Sequence, residues 1–137
     1  MQSHCRSGFT FAELVIVILI IGVLAGIGMP AYWAFAERSK KSSTRATLAN
    51  TQQAINLYKS DTSKYPKQLD NLVEKPAGDD GKRWEGPYIQ KSPRDGWGQE
   101  FAYKVTPGGK HPFELYSYGK GGESDSNEED YISVWDL

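Results

Sequence analysis

The fold of this chain is decided by Gly8-Phe9-Thr10-Phe11-Ala12-Glu13 and by the apolar run that follows it, Leu14 to Met29. From Leu14 to Ala36 the sequence has 23 residues without a charged side chain. As a helix these residues would extend about 34 Å, enough to cross a hydrocarbon core of about 30 Å. Glu13 stands one position before the run, where a carboxylate costs on the order of 2–3 kcal/mol unless it finds a partner. A simple anchor has no use for this residue, so the sequence predicts a transmembrane helix with a further role.

The first eight residues, which end at Gly8 of the motif, differ from an ordinary secretory signal. They contain one charged side chain, Arg6, and neither an apolar core nor an Ala-x-Ala cleavage site. The glycine, phenylalanine, threonine and glutamate of the motif stand at the spacing of the prepilin motif, so the segment resembles type IV pilins and type II secretion pseudopilins. In that family a dedicated prepilin peptidase cleaves after the glycine and methylates the new N-terminus.

This resemblance implies cleavage between Gly8 and Phe9, followed by N-methylation of Phe9. Residues 1–8 would then be a leader peptide, 9–36 the transmembrane and assembly half of a long helix, and 37–137 a periplasmic pseudopilin domain. The alternative is a signal anchor in which Glu13 is incidental. That alternative leaves the spacing of the four motif residues unexplained.

Composition excludes several other classes of function. The chain has 137 residues, of which 24% are charged, and a formal net charge of −1, so the basic stripe that a nucleic-acid partner needs is absent. The single cysteine, Cys5, lies in the expected leader and leaves the mature chain without a disulfide. The sequence has no phosphate loop or nucleotide fingerprint, and His111 is the only histidine beyond the leader. We therefore predict no nucleic-acid partner and no enzymatic activity.

Glu13 is the first candidate assembly residue. After cleavage the amine of Phe9 carries a positive charge, to which the start of the helix adds a partial positive charge. The resemblance implies that Glu13 of a neighbouring subunit meets this amine in a homopolymer. Such a pair would set the register between subunits. Pairing of Glu13 with the N-terminus of its own chain is the alternative.

The apolar run also contains a weak point for helix formation, because Gly22, Gly26 and Gly28 precede Pro30. Proline removes a hydrogen bond and collides with the carbonyl four residues back, and each glycine lowers helix propensity by roughly 1 kcal/mol. Gly22 and Gly26 also have the spacing of close helix–helix packing. In the filaments that the chain resembles, this part of the helix unwinds on assembly, and we expect the same for Gly22 to Pro30. An unbroken helix there in a map of the fibre would contradict this expectation.

Aromatic residues followed by charges mark the exit from the membrane. Tyr32, Trp33 and Phe35 precede a charged stretch that begins at Glu37. With the leader in the cytoplasm, this exit lies on the periplasmic face of the bacterial inner membrane, which the chain crosses once. An apolar stripe then continues the helix to about Lys59, and its members are Thr44, Leu48, Thr51, Ile55 and Tyr58.

The remaining sequence predicts a small α+β domain. One or two helical turns are expected at 69–73, a hairpin from strands at 101–105 and 113–117, and a last short strand at 132–135. This antiparallel sheet is expected to pack on the helix stripe in a pilin-like fold with a C-terminal loop. The aromatic residues expected in the core are Trp84, Tyr88, Trp97, Phe101, Tyr103, Phe113 and Trp135.

Motifs in this domain narrow the resemblance to the major pseudopilins of type II secretion, the protein G family. In order, they are Tyr58-Lys59, Tyr65-Pro66, Leu72-Val73-Glu74-Lys75-Pro76, Trp84-x-Gly86-Pro87-Tyr88, Asp95-x-Trp97-Gly98 and Tyr116-Ser117-x-Gly119. The similarity extends from Gly8 to Trp135. One departure is Gly96, where the family usually carries proline, a change that a turn can absorb.

The resemblance implies a structural subunit of a short periplasmic fibre that helps drive folded proteins through the outer membrane. Its implied partners are further copies of the chain, minor pseudopilins, the prepilin peptidase and an inner-membrane assembly platform. The alternative is a type IV pilin of a surface fibre, used for adhesion, motility or DNA uptake. A third interpretation, from another class of function, is a membrane-anchored binding or enzymatic domain. This interpretation predicts neither cleavage nor a polymer.

The loop at 120–130 is a candidate metal site. Its carboxylates, serines and glycines suit Ca²⁺, which takes six to eight oxygen ligands in flexible loops, and the resemblance implies a Ca²⁺ site in this loop. The family's Gly-Ala-Asp-Gly reads Gly119-Lys120-Gly121-Gly122 in this chain, so the first ligand is missing. Asp125 and Asp130 are the best substitutes, with Leu115 and Ser117 supplying main-chain or hydroxyl oxygens. A solvated acidic loop without metal is the alternative.

Overall fold

One long helix, α1 (Phe11–Thr62), begins the computed structural model, which describes residues Gly8–Asp125 and Asn127–Leu137. The sequence predicted a single helix from Phe9 to about Lys59, and the observed ends differ from this by two or three residues. Such differences are common because helix ends fray. Pro30 lies inside α1 without interrupting it.

The first of two units, which ends at Glu37, contains the apolar part of α1. Every large apolar side chain between Phe11 and Met29 is exposed. A helix that is apolar on all sides needs lipid or other helices around it. By length and composition, α1 is also the one helix in the described residues that is able to cross a membrane. The assignment of residues 9–36 as the transmembrane half stays a prediction.

The second unit, Arg38–Leu137, is built on one buried face of α1. The buried residues of this face are Thr44, Leu48, Thr51, Ala54, Ile55 and Tyr58, so the predicted stripe is confirmed and gains Ala54. The hydroxyls of the two threonines donate hydrogen bonds to backbone carbonyls of the same helix. Thr44 Oγ1 donates to the carbonyl of Lys40 at 2.8 Å, and Thr51 Oγ1 donates to that of Thr47 at 2.7 Å.

A three-stranded antiparallel sheet completes the core with this face. Its strands are β1 (Ala102–Val105), β2 (Phe113–Ser117) and β3 (Ile132–Ser133), in the order β1-β2-β3. Tyr103 pairs with Leu115, and Ser117 pairs with Ile132. Alternate residues of β2 are buried, which places Phe113 and Leu115 in one cluster with Leu48 and Ile55 of α1. The predicted α+β, pilin-like packing is therefore confirmed.

The last strand is shorter than the sequence predicted. Val134 and Trp135 belong to a 3-10 turn, Val134–Asp136, and not to β3. The turn forms because Ser133 Oγ accepts a hydrogen bond from the backbone of Trp135 at 3.2 Å. The indole of Trp135 donates to the carbonyl of Phe113 at 2.9 Å, which fixes the turn on β2.

The connection between α1 and β1 contains short 3-10 helices, Leu69–Leu72 and Gly78–Gly81, the first of which accounts for the predicted helical turns. The expected aromatic core is largely present. Phe101 and Phe113 are buried, and the partly buried aromatics against the core include Trp84, Tyr88, Tyr103 and Trp135. Trp97 is outside this cluster and is only partly buried.

Candidate assembly sites

The start of α1 places Glu13 in a capping box with Thr10. Glu13 Oε2 accepts hydrogen bonds from the backbone N–H of Thr10 at 2.8 Å and from its hydroxyl at 3.0 Å. In return, the backbone N–H of Glu13 donates to Thr10 Oγ1 at 3.2 Å. This reciprocal arrangement satisfies donors that a helix start otherwise leaves free. The sequence signature of a capping box is Thr-x-x-Glu before an apolar run. Interpreting Glu13 only as an assembly residue does not predict this cap.

The capping box leaves Glu13 able to bind a cation from outside the subunit. All the hydrogen bonds that the described residues offer to its carboxylate go to Oε2. A carboxylate has about four acceptor positions on its two oxygens, so Oε1 is available to a neighbouring amine. The local hydrogen bonds also reduce the cost of holding a carboxylate at the membrane edge before assembly.

Gly22, Gly26 and Gly28 have no steric role within the single subunit. A Cβ built at any of these positions meets no atom within 4 Å. Pro30 follows them inside the same continuous helix. Packing within the described part of the chain therefore gives no reason for glycine at these positions.

A polar junction in the second unit is centred on the carboxylate of Asp95, which is only 7% exposed. Asp95 Oδ1 accepts hydrogen bonds from the backbone N–H groups of Trp97 and Gln99, both at 2.9 Å. Asp95 Oδ2 accepts the hydroxyl of Ser117 at 2.6 Å, and that hydroxyl accepts the N–H of Gly119 at 3.0 Å. One buried acid therefore joins the turn that it begins to the end of β2.

Gly96 attaches the same turn to α1. Its backbone N–H donates to Thr44 Oγ1 at 2.8 Å. A Cβ built at Gly96 would overlap the carbonyl oxygen of Lys40, so no side chain fits at this approach. A proline at this position would lack the N–H, and its ring would have no space. That a turn absorbs the departure from proline to glycine stays a prediction. The contact with α1 gives Gly96 a further role, because this close approach needs an N–H and no side chain.

The predicted Ca²⁺ ligands lie at the two ends of the C-terminal loop. Leu115 and Ser117 are buried in β2, and Asp130 is exposed at the end of a 3-10 helix, Glu128–Asp130. The ends of the loop meet at Gly119, where a built Cβ would lie 2.6 Å from the carbonyl oxygen of Asp130. The geometry therefore brings the backbone of Asp130 next to the end of β2.

Of the two kinds of oxygen expected from Ser117, main-chain and hydroxyl, the hydroxyl has another partner. The hydroxyl of Ser117 is already bonded to Asp95, so the main-chain oxygen is what Ser117 has to offer a metal. The side chain of Asp125 lies outside the described residues. Within the part of the chain that is described, His, Cys, Asp and Glu side chains form no group of three able to hold a metal. A Ca²⁺ site in this loop would therefore need main-chain oxygens in addition to the carboxylates of Asp125 and Asp130.

Comparison with known proteins first defines the class. A model of the prokaryotic N-terminal methylation motif matches residues 3–29. The fold is similar to the crystal structure of the major pseudopilin from the type 2 secretion system of enterohaemorrhagic Escherichia coli, with a TM-score of 0.63 and 24% identity over 77% of this chain and 94% of that chain. A methylation-type N-terminus on a long apolar helix, whose second half packs on a small antiparallel sheet, defines a pilin-like protein.

The family follows from the sequence matches. The family model for type II secretion system (T2SS), protein G matches residues 32–135. A type II secretion system core protein G from Pseudomonas aeruginosa is 34% identical over 99% of each chain. Another from Escherichia coli strain K12 is 36% identical over 96% of this chain and 92% of that one. The chain belongs to the type II secretion protein G family, and the resemblance found in its motifs is confirmed.

Proposed function

We propose that this chain is a structural subunit of the pseudopilus of a type II secretion system. It polymerises into a short periplasmic fibre that helps drive folded proteins through the outer membrane. Membership of the protein G family over nearly the whole chain carries this proposal. The exposed apolar half of α1 supports it, because that surface needs lipid before assembly and neighbouring helices within a fibre.

The proposed location is the bacterial inner membrane, which α1 crosses once with the second unit in the periplasm. Tyr32, Trp33 and Phe35 are exposed at the end of the apolar run, and they fit the boundary between the inner membrane and the periplasm. The proposed partners are other copies of the chain, minor pseudopilins, the prepilin peptidase and the inner-membrane assembly platform. The role is mechanical and non-enzymatic, with energy supplied by a separate cytoplasmic ATPase.

The protein G match favours the pseudopilus over a type IV pilin of a surface fibre.

The helix from Gly22 to Pro30 is proposed to open as the subunit enters the fibre. Two properties support this opening: the propensity of the segment is low, and its glycines have no packing role in the free subunit.

The proposed processing predicts a defined mature N-terminus. Mass spectrometry of the chain isolated from membranes should show a polypeptide that begins at Phe9 and is one methyl group heavier than its sequence. Changing Gly8 to alanine should leave the full-length precursor, since the peptidase cleaves after this glycine. A native chain that still begins at Met1 would support the membrane-anchored domain and would overturn the fibre subunit.

The proposed Ca²⁺ site predicts a calcium-dependent stability. Asp125 and Asp130 would supply carboxylates, and Leu115 and Ser117 would supply main-chain oxygens. Added Ca²⁺ should raise the melting temperature of the detergent-solubilised chain, and a chelator should lower it again, because a ligand that binds only the folded state stabilises it. Asp130→Asn should abolish the shift, whereas Glu114→Gln, on β2 outside the loop, should keep it. An unchanged melting temperature would support the solvated acidic loop.

A further inference from the structure

We propose that the second unit binds the next copy of the chain head to tail through opposite charges. The acidic turn, Glu128–Asp130, of one subunit is seated in a basic cleft beside the C-terminal end of α1 in its neighbour. This contact rests on the proposed function, since it specifies one interface of the fibre.

The basic cleft lies beside the C-terminal end of α1 and has a volume of about 350 Å³. Its charged lining residues are the cations Lys64, Lys67, Lys82 and Arg83 and the acids Asp79 and Asp80. Four cations against two carboxylates leave the cleft with an excess of two positive charges. Arg83 is exposed and makes no ion pair within the described residues. The cleft therefore presents cations that the folded subunit does not neutralise.

The acids in the cleft hold the cations in place without covering them. Asp80 pairs with Lys67 at 2.6 Å and with Lys64 at 3.4 Å. These ammonium groups lower the pKa of Asp80, and the carboxylate in turn raises the pKa of Lys67. Even so, the side chains of Lys64 and Lys67 remain 69% and 81% exposed. Two ammonium groups gathered around one carboxylate form a site that a second carboxylate can enter.

The acidic turn carries the opposite charge. Glu128, Glu129 and Asp130 are consecutive and exposed on one 3-10 helix. Glu128 and Glu129 make no ion pair with any described residue. Three adjacent carboxylates repel one another, so a group of cations nearby is favoured.

The two charged surfaces are formed by different parts of the second unit. The acidic turn packs against Gly119 after β2, whereas the cleft is lined by Tyr58 and Thr62 near the end of α1. Within the described residues no ion pair joins the turn to a cation of the cleft. A contact between two different surfaces of neighbouring copies extends into a fibre unless it closes into a ring.

Cysteine crosslinking tests the contact directly, because Cys5 is the only native cysteine. A full-length Cys5→Ser chain with both Lys67→Cys and Glu129→Cys is expressed with its secretion machinery and treated with a short bis-maleimide. We expect a ladder of crosslinked dimers, trimers and longer species. Each single-cysteine chain should remain monomeric, since the contact joins two different residues. The matched control is Lys104→Cys with Glu129→Cys, because Lys104 is exposed on β1 away from the cleft.

Charge reversal provides the second measurement. Lys67→Glu and Glu129→Lys should each lower the fraction of the chain in sedimentable fibres roughly two- to fivefold, and the double variant should recover it. Fibres without the Lys67–Glu129 ladder, or dimers from a single-cysteine chain, would overturn the contact and leave the proposed function standing. Failure of the unmodified chain to form fibres would instead overturn the proposed function and this contact with it.

Discussion

Replacing Gly96 by proline is expected to lower the free energy of unfolding by about 3–4 kcal/mol, a large share of the stability of a small domain. Proline removes the N–H that donates to Thr44 Oγ1 and places ring atoms against the carbonyl of Lys40. The turn would have to move away from α1, which would also disturb the hydrogen bonds of Asp95. Denaturant unfolding of the detergent-solubilised chain, followed by circular dichroism, measures the loss.

Two further variants separate the causes of this loss. Gly96→Ala keeps the N–H but adds a Cβ against Lys40, so it measures the steric part. Thr44→Val removes the acceptor while keeping the shape of the side chain, and should cost about 1–3 kcal/mol. Stability of Gly96→Pro equal to that of the unmodified chain would show that the turn absorbs proline, as the sequence alone suggests.

The contact of the Gly96 turn with α1 could not be predicted from the sequence, and the cause is physical. The buried stripe of α1 was predictable because its members repeat at helical spacing, and the observed burial includes all five of them. β2 was predictable because alternation continues from Phe113 to Ser117. The Gly96–Thr44 hydrogen bond joins positions 52 residues apart and leaves no local pattern. Only the folded backbone shows that this turn touches the helix.

Two other features show the same limit of local patterns. The alternation at Ile132 and Val134 is typical of a strand, yet the side chain of Ser133 caps a 3-10 helix here, and the indole of Trp135 fixes this helix on β2. The acidic turn is visible in the sequence as three adjacent acids. The basic cleft is not visible in the sequence, because its cations are spread over positions 64–83 and meet only in the fold.

Replacing Glu13 by glutamine is expected to abolish fibres while leaving cleavage between Gly8 and Phe9 intact. Glutamine still serves in the capping box with Thr10, so the start of α1 should remain helical. What it removes is the charge. A unit-charge pair 4 Å apart is worth about 4 kcal/mol at the effective dielectric of a protein surface, or roughly a thousandfold in the association constant of each contact. A neutral side chain also removes the penalty that makes Glu13 unfavourable in lipid, so the subunit gains less by leaving the membrane.

The two functions of Glu13 can be told apart by comparing three variants. Glu13→Ala removes both the charge and the cap, whereas Thr10→Ala keeps the charge and removes the hydroxyl that bonds Glu13 Oε2. Mass spectrometry checks processing, and electron microscopy with sedimentation measures fibres. If the charge sets the register between subunits, Glu13→Gln and Glu13→Ala should both lose fibres and Thr10→Ala should retain most of them. Fibres from Glu13→Gln at the unmodified level would mean that Glu13 acts in assembly only as a helix cap, because the glutamine amide supplies the cap without the charge.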